Sequence, residues 1–397
     1  MRRIAVIGAG AAGCFCTAWL RRRLPDARVD VYEAGTRPLA KVAVTGGGRC
    51  NLTNSFEGIN SLSEAYPRGE RLMKRLLRVF SQDDARCWFE EAGVPLVLQE
   101  DQCVFPRSQD AMDIVRALLR RMEGANLLLK TPVRSVTAGS DGTLFVDGTP
   151  YDAVVVTTGG APRGLPLVDS LVLEWIPTVP SLFTFTVRDE GLRALMGLVA
   201  DAAVAIPGTS FKAGGPLLIT DWGLSGPAVL KLSSYAARYL SENGYRAPLT
   251  VTWVPGGEAS VRTGMDAKAA GNAQRLVVNT PPAGLPARLW AYLVGKAGVR
   301  MDIRWAELGS KGYNKLVRIL LQDHYEIAGK TRFREEFVTC GGVALSNLNP
   351  ATLECRRYPG LYFAGEVLDI DAITGGFNLQ AAWTTGYVVA RAIAGKD

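Results

Sequence analysis

The chain has 397 residues, 48% hydrophobic and 21% charged, with a formal net charge of +7. That length and apolar share suffice for two or three domains with large cores, and they exclude a disordered chain or a small disulfide-held one. The seven cysteines, at 14, 16, 50, 87, 103, 340 and 355, form no C-x-x-C pair and are accompanied by one histidine, which argues against a zinc site and for a reducing, cytoplasmic compartment.

An apolar strand over 4–7 runs into Gly8-Ala9-Gly10-Ala11-Ala12-Gly13, a helix follows, and a second strand over 29–32 ends at Glu33. Gly8 suits the tight turn, Gly10 the close approach of a pyrophosphate, and Gly13 the packing of helix on strand. Glu33, 20 residues past Gly13, stands where a carboxylate accepts from ribose hydroxyls. An export signal is the alternative for this stretch, but three glycines interrupt it and Arg21-Arg22-Arg23 stand where small residues should mark cleavage. No apolar run approaches the roughly 20 residues of a membrane span.

Next comes a glycine-rich polar loop over 41–54, containing Lys41 and Thr45-Gly46-Gly47-Gly48-Arg49-Cys50-Asn51-Leu52-Thr53-Asn54. A basic amphipathic helix is predicted over 68–80, further helices over 83–92 and 110–122, a strand over 126–131 and a β-meander over 133–147. A buried strand then leads into Thr158-Gly159-Gly160. Strands apolar on both faces belong to a central parallel sheet. From about 180 to 278 short alternating segments between Gly/Pro turns predict a β-barrel or sandwich, with one short helix after Gly226-Pro227. Residues 281–330 read as helical, best at 285–294 and 314–321, and His324 within them reads as a surface residue. Near 339–343 the chain returns to its opening domain. The expected organisation is an α/β, doubly wound nucleotide domain made of 1–180 and 335–397, interrupted by a β-barrel insert (181–280) and a small helical subdomain (281–334).

Close to the end, an apolar strand at 361–364 runs into Gly365-Glu366, and Thr374-Gly375-Gly376-Phe377-Asn378 opens an Ala-rich helix near Leu379. Glycines before a helix leave its first N–H groups free, and the helix dipole adds partial positive charge, a setting for an anion or an electron-rich ring edge. Asp369 and Asp371 read as shaping the intervening loop. Cys50 reads as a packed thiol, since no resolving cysteine adjoins it.

Together, 41–54, Gly223-Leu224-Ser225-Gly226-Pro227, 338–343 and 360–386 resemble the BaiN/YhiN-type family of FAD-dependent oxidoreductases, also described as NAD(P)/FAD-dependent or aminoacetone-oxidase-like. The resemblance covers essentially the whole chain and implies an FAD-binding, Rossmann-like domain. It implies that Gly8, Gly10 and Gly13 face the FAD pyrophosphate and Glu33 the adenosine ribose. Val133 would meet the adenine, Thr158, Gly159 and Gly160 the dinucleotide, and Gly365-Glu366 the ribityl–phosphate part. Gly46, Gly47, Gly48, Arg49, Cys50 and Asn51 would lie beside the isoalloxazine, with Gly376, Phe377, Asn378 and Leu379 at its pyrimidine edge. Ala12, Ala34, Lys41, Thr45, Asn54 and Asp369 complete the implied cofactor set, and Arg49, Cys50 and Asn51 are the candidate catalytic residues; no metal is implied. Phe377 departs from the tyrosine frequent in the family.

FAD would carry the electron chemistry. No second G-x-G-x-x-G unit is present, so NAD(P)H would visit the flavin transiently. The resemblance implies reduction of an activated C=C bond, with uridine in ribosomal RNA the leading substrate; a small enone of the bile-acid type and amine oxidation are alternatives. A non-catalytic flavoprotein that binds RNA or a partner is the alternative of another class. Between 286 and 334 ten Lys/Arg face four acids, and a second basic stretch carries Arg68, Arg71, Lys74, Arg75 and Arg78. The basic helical insert, with Arg304, Lys311 and Lys315, is the expected contact for ribosomal RNA, and each stretch is either a phosphate-backbone footprint or a solvated basic face. No RNA module with stacking aromatics is recognisable.

Overall fold

A computed structural model describes residues 1–160, 165–254, 256–330 and 338–395. The chain divides into two compact units, one of Met1–Pro180 with Val338–Asp397 and one of Ser181–Phe337. The expected boundary at 335, and Arg332 and Arg334 of the basic stretch, lie outside the described residues.

The first unit is built on a five-stranded parallel sheet. Its order across the sheet is Leu361–Phe363, Ala153–Val156, Arg3–Ile7, Arg28–Tyr32, Asn126–Leu128. Ile4, Ala5, Val6, Val154, Val155 and Val156 are fully buried, as strands covered on both faces require. The helix Ala11–Arg23 crosses from the first strand to the second, and the C-terminal helix Phe377–Ala394 packs against it. Close approach of the two needs a glycine: a Cβ on Gly386 would stand 2.7 Å from the Ala12 carbonyl oxygen. The predicted helices appear at Glu70–Leu76, Gln82–Glu91 and Ala111–Arg121, and the meander at Val136–Ala138, Leu144–Val146 and Thr149–Tyr151. Phe15, Phe80, Trp88, Phe89 and Trp383 pack ring to ring between these helices.

The second unit is a closed barrel in the order Phe185–Val187, Gly223–Ser225, Lys212–Thr220, Val199–Ala205, Ala247–Thr252, Asp323–Lys330, with every pairing antiparallel. Here the structure departs from the expected split at 280. Helix Glu258–Gly271 falls inside the segment expected to be barrel, and strand Asp323–Lys330 inside the one expected to be helical. The barrel closes only through that last strand, so the helices Glu258–Gly271, Ala287–Lys296 and Gly309–Leu321 form an excursion between its last two strands. Their buried faces share one core with the strands, in which Trp253, Trp290, Trp305, Leu249 and Ile327 all take part. His324 therefore sits on a barrel strand; it is exposed, with Nδ1 3.3 Å from Thr250 Oγ1. Among the described residues no helix is long and apolar enough to cross a membrane.

Candidate functional site

The candidate residues all belong to the first unit. At the carboxyl end of the first strand, Gly8 has φ +107°, a conformation open mainly to glycine. A Cβ on it would meet the Thr157 carbonyl oxygen at 2.5 Å, and one on Gly13 would meet the Gly8 carbonyl oxygen at 2.0 Å. Gly10 differs: a Cβ there would find nothing within 4 Å. The protein's own packing thus requires glycine at 8 and 13, while at 10 it leaves open space. Gly10 also caps the helix Ala11–Arg23 without any side-chain bond, so the first N–H groups of that helix face the same space.

Glu33 is already engaged with this turn. Its carboxylate accepts from the Ala9 N–H at 3.0 Å and the Gly35 N–H at 2.6 Å. Each oxygen keeps a further lone pair for a hydroxyl donor. Ala34 lies in the same turn. The Thr131 N–H donates to the Glu33 carbonyl at 2.8 Å and Lys130 N–H to that of Gly35 at 2.9 Å, which brings half-buried Val133 to the Glu33 side of the sheet.

Beside the turn, Glu366 accepts from the Thr339 N–H at 2.8 Å and from Lys41 Nζ at 3.4 Å. A Cβ on Gly160 would stand 3.0 Å from Glu366 Oε1, and one on Gly159 3.7 Å from Oε2. Half-buried Gly159 and Gly160 therefore meet Glu366 at the sheet's carboxyl edge, next to exposed Thr158. Gly365, at φ +78°, lies against Ala12, whose Cβ a Gly365 Cβ would approach to 2.8 Å; its N–H donates to Thr385 Oγ1 at 2.9 Å.

The loop from Thr45 to Asn54 is held in a left-handed run: Gly46, Gly47, Gly48 and Cys50 have φ +62°, +70°, +83° and +60°. Thr45 Oγ1 donates to the Lys41 carbonyl at 2.7 Å, and the Cys50 N–H to that of Thr45 at 2.9 Å. Arg49 is exposed and lies 4.6 Å over the Phe105 ring, with Nε donating to Gly46 O at 3.2 Å. Cys50 is fully buried, and burial pushes its thiol up to about 12. It stays neutral at physiological pH, so of the three candidate catalytic residues Cys50 is no thiolate centre, and its contribution is to the shape of the loop.

This loop runs against the start of the C-terminal helix. Asn54 Nδ2 donates to the Gly375 carbonyl at 3.1 Å and Thr53 Oγ1 to Gln380 Oε1 at 2.6 Å. Gly376, at φ +89°, caps the helix with no side-chain bond. Asn378 turns its side chain backwards, accepting from the Ala372 N–H at 3.0 Å and donating to the Ala372 carbonyl at 2.9 Å, which braces the preceding loop. The Phe377 carbonyl accepts from the buried Tyr66 hydroxyl at 2.8 Å, and Leu379 is half-buried. Asn51 Oδ1 is the unusual atom: it is buried, has no hydrogen-bond partner among the described residues, and stands 2.7 Å from where a Gly376 Cβ would be. An orphaned carbonyl oxygen beside uncapped helix N–H groups leaves one acceptor and adjacent donors without a partner among the described residues.

Three contributors escaped the sequence reading. Thr157 donates to the carbonyls of Ile7 (3.0 Å) and Gly8 (2.9 Å), locking the glycine turn from the neighbouring strand. Thr339 holds Glu366, as above. Arg68 forms a buried pair with Asp371, its Nε 2.6 Å from Oδ1. That guanidinium also lies in the field of Asp369, whose N–H donates to the Val343 carbonyl at 3.1 Å. The sequence signal was present only for Thr157, at the end of a buried strand before a glycine pair.

A family model described as the HI0933-like protein Rossmann domain matches residues 2–392. A 3-dehydro-bile acid delta(4,6)-reductase of Clostridium scindens is 29% identical, with 99% of each chain covered. A ribosomal RNA dihydrouridine synthase of Escherichia coli is 31% identical, covering 97% of this chain and 96% of its own. Among solved structures, the E. coli quinol fumarate reductase subunit FrdA matches at 14% identity and TM-score 0.48, covering 99% of this chain and 70% of that one.

Proposed function

Because the chain belongs to the HI0933-like Rossmann domain family, we propose that it is an FAD-dependent oxidoreductase that reduces an activated C=C bond, with uridine in ribosomal RNA as the leading substrate. The observation that carries the cofactor reading is the open space at Gly10, which the protein's own packing does not explain, together with the orphaned Asn51 Oδ1. A flavin's pyrimidine edge presents an N–H between two carbonyls. Asn51 Oδ1 and the free N–H groups at Phe377, Asn378 and Leu379 are the complementary set. Gly10 and the first turn of Ala11–Arg23 would take the pyrophosphate, Glu33 the adenosine ribose, Val133 the adenine, and Gly365-Glu366 with Gly159 and Gly160 the central part.

When bound, FAD would supply a hydride to one carbon of the double bond, the other carbon taking a proton from solvent, and NAD(P)H visiting transiently would return the hydride to the flavin. The chain's residues position and polarise. The N-terminus of Phe377–Ala394 favours negative charge at the ring edge it faces. Arg49, exposed and pinned over Phe105, stands at the open side of the Gly46–Gly48 loop, where it would meet a substrate carbonyl. Cys50, at φ +60°, holds that loop's form, and Asn51 would meet the ring edge.

The substrate reading is supported by the two relatives' names, which both describe reduction of a conjugated C=C bond, one in a steroid and one in a uracil ring. A small enone is the second reading, favoured by the end-to-end match to the bile acid reductase. The test is mass spectrometry of ribosomal RNA from cells with and without the gene. The expected result is loss of dihydrouridine on deletion; identical dihydrouridine in both strains overturns the RNA reading and leaves the enone. Bleaching of the purified flavoprotein by NADH or NADPH tests the electron donor.

A further inference from the structure

The segment 65–69 is tied directly to the loop that opens the C-terminal helix. The Ile373 N–H donates to the Ala65 carbonyl at 2.9 Å, Arg68 pairs with Asp371, and a Cβ on Gly69 would touch Ile370. From that anchor the helix Glu70–Leu76 leaves, burying Leu72, Met73 and Leu76. Its other face carries Arg71, Lys74 and Arg75, with Arg78 in the turn that follows, all exposed. These four alone line a surface recess.

Their spacing is i, i+3, i+4 and i+7, so like charges stand next to one another along one face, an arrangement that disfavours the helix by itself. No described residue offers any of the four an ion pair or a hydrogen bond, Glu70 at the helix start included. The cations of the second unit contrast with them. Lys296 reaches Asp323 at 2.6 Å, Arg300 pairs with Asp302 at 2.9 Å, and Arg288, Arg304 and Lys315 donate to Ala194 O, Gln274 Oε1 and Gly298 O. Much of the basic stretch at 286–334 is thus internally engaged.

We propose that the face formed by Arg71, Lys74, Arg75 and Arg78 is the docking surface for the phosphate backbone of an RNA substrate. This rests on the RNA reading above. A seven-residue helix spans about 10 Å, long enough for cations along one face to meet neighbouring phosphates of a single strand. Its anchor in the Arg68–Asp371 pair ties that track to the loop leading into Gly376 at the helix start. A polyanion laid along it neutralises the four charges that the fold leaves unpaired.

The test uses the holoprotein and unmodified ribosomal RNA from a strain lacking the gene. Arg71→Glu, Lys74→Glu, Arg75→Glu and Arg78→Glu together are expected to weaken RNA binding at least tenfold and lower the salt-dependence slope by about 3, with FAD content and melting temperature unchanged. Arg71→Lys, Arg75→Lys and Arg78→Lys, which keep the charge, are expected to bind as the parent does. Arg304→Glu with Lys311→Glu and Lys315→Glu is expected to have at most a twofold effect. Parent-like binding by the fourfold reversal overturns the docking surface even where dihydrouridine is formed. Absence of dihydrouridine in the parent strain instead overturns the RNA reading. The surface then stands if the parent still binds RNA through these four residues, and falls if it does not.

Discussion

Three glycines in one turn serve three different physical ends, and substitution separates them. Gly13→Val would drive a side chain into the Gly8 carbonyl oxygen 2.0 Å away, so the protein is expected to lose at least about 1–3 kcal/mol of stability or fail to fold. Gly10→Val meets no protein atom, so it is expected to fold normally and yet hold no FAD, read by thermal melting and by the flavin released on heating. A misfolded Gly10→Val, or one that stays fully loaded, contradicts the assignment. Glu33→Ala is expected to weaken FAD by the two charge-assisted hydrogen bonds lost to the ribose, about 1.5–3 kcal/mol each. Because Glu33 also holds the Ala9 and Gly35 N–H groups, it should loosen the cofactor-free turn as well, seen as faster amide exchange at those two residues. The glycines and the acid are legible in the sequence. That the acid is bonded to the turn before any ligand arrives depends on two residues 24 positions apart coming back to one point.

At the scale of elements, the start of the C-terminal helix works because other segments keep it bare. Asn378 bonds backwards, Asn54 holds Gly375, and Tyr66 takes the Phe377 carbonyl, so no side chain caps the first turn. Asn51→Ala removes a carbonyl oxygen that has no partner in the protein. It is therefore expected to leave the cofactor-free protein's melting temperature nearly unchanged while weakening FAD by about tenfold, the worth of one hydrogen bond. A variant that melts early and binds FAD normally would show that Asn51 is only structural. Cys50→Ala is expected to retain flavin reduction with the same profile between pH 6 and 9, since the buried thiol titrates near 12 and stays neutral throughout. Loss of an alkaline limb in that variant would restore Cys50 as an ionising group.

Across the whole molecule, the two units are expected to respond differently to alkali. Cys14, Cys16 and Cys50, all in the first unit, are held protonated by burial, and their folded titration points lie above the ordinary thiol value. The sign follows from linkage. Stability from these groups is complete below the unfolded value near 8.5 and falls as pH rises above it, because only the unfolded chain can ionise. Raising pH from 8.5 to 10 is expected to cost on the order of 2 kcal/mol per buried thiol. A melting transition assigned to the first unit should shift down accordingly, and one that does not move would mean the thiols are open to solvent. In the second unit, the separation of barrel from helices expected at 280 gives way to one core, since strand Asp323–Lys330 must return through the helices to close the barrel.

The sequence by itself determined the local chemistry: the glycine turn and its acid, the glycine-rich loop at 46–48, the bare helix start after Gly376 and the continuous apolar runs that make a parallel sheet. Those features depend on neighbours within a few residues, where backbone sterics and hydrogen-bonding groups decide the outcome. Tertiary structure decided what meets what. Asn51 against Gly376, Arg68 with Asp371, Thr339 on Glu366 and the closing barrel strand join residues far apart in the chain, and burial alone made Asn51 an orphan and Cys50 inert. No local pattern carries such pairings, because their free energy arises only when distant segments exclude water from the same place.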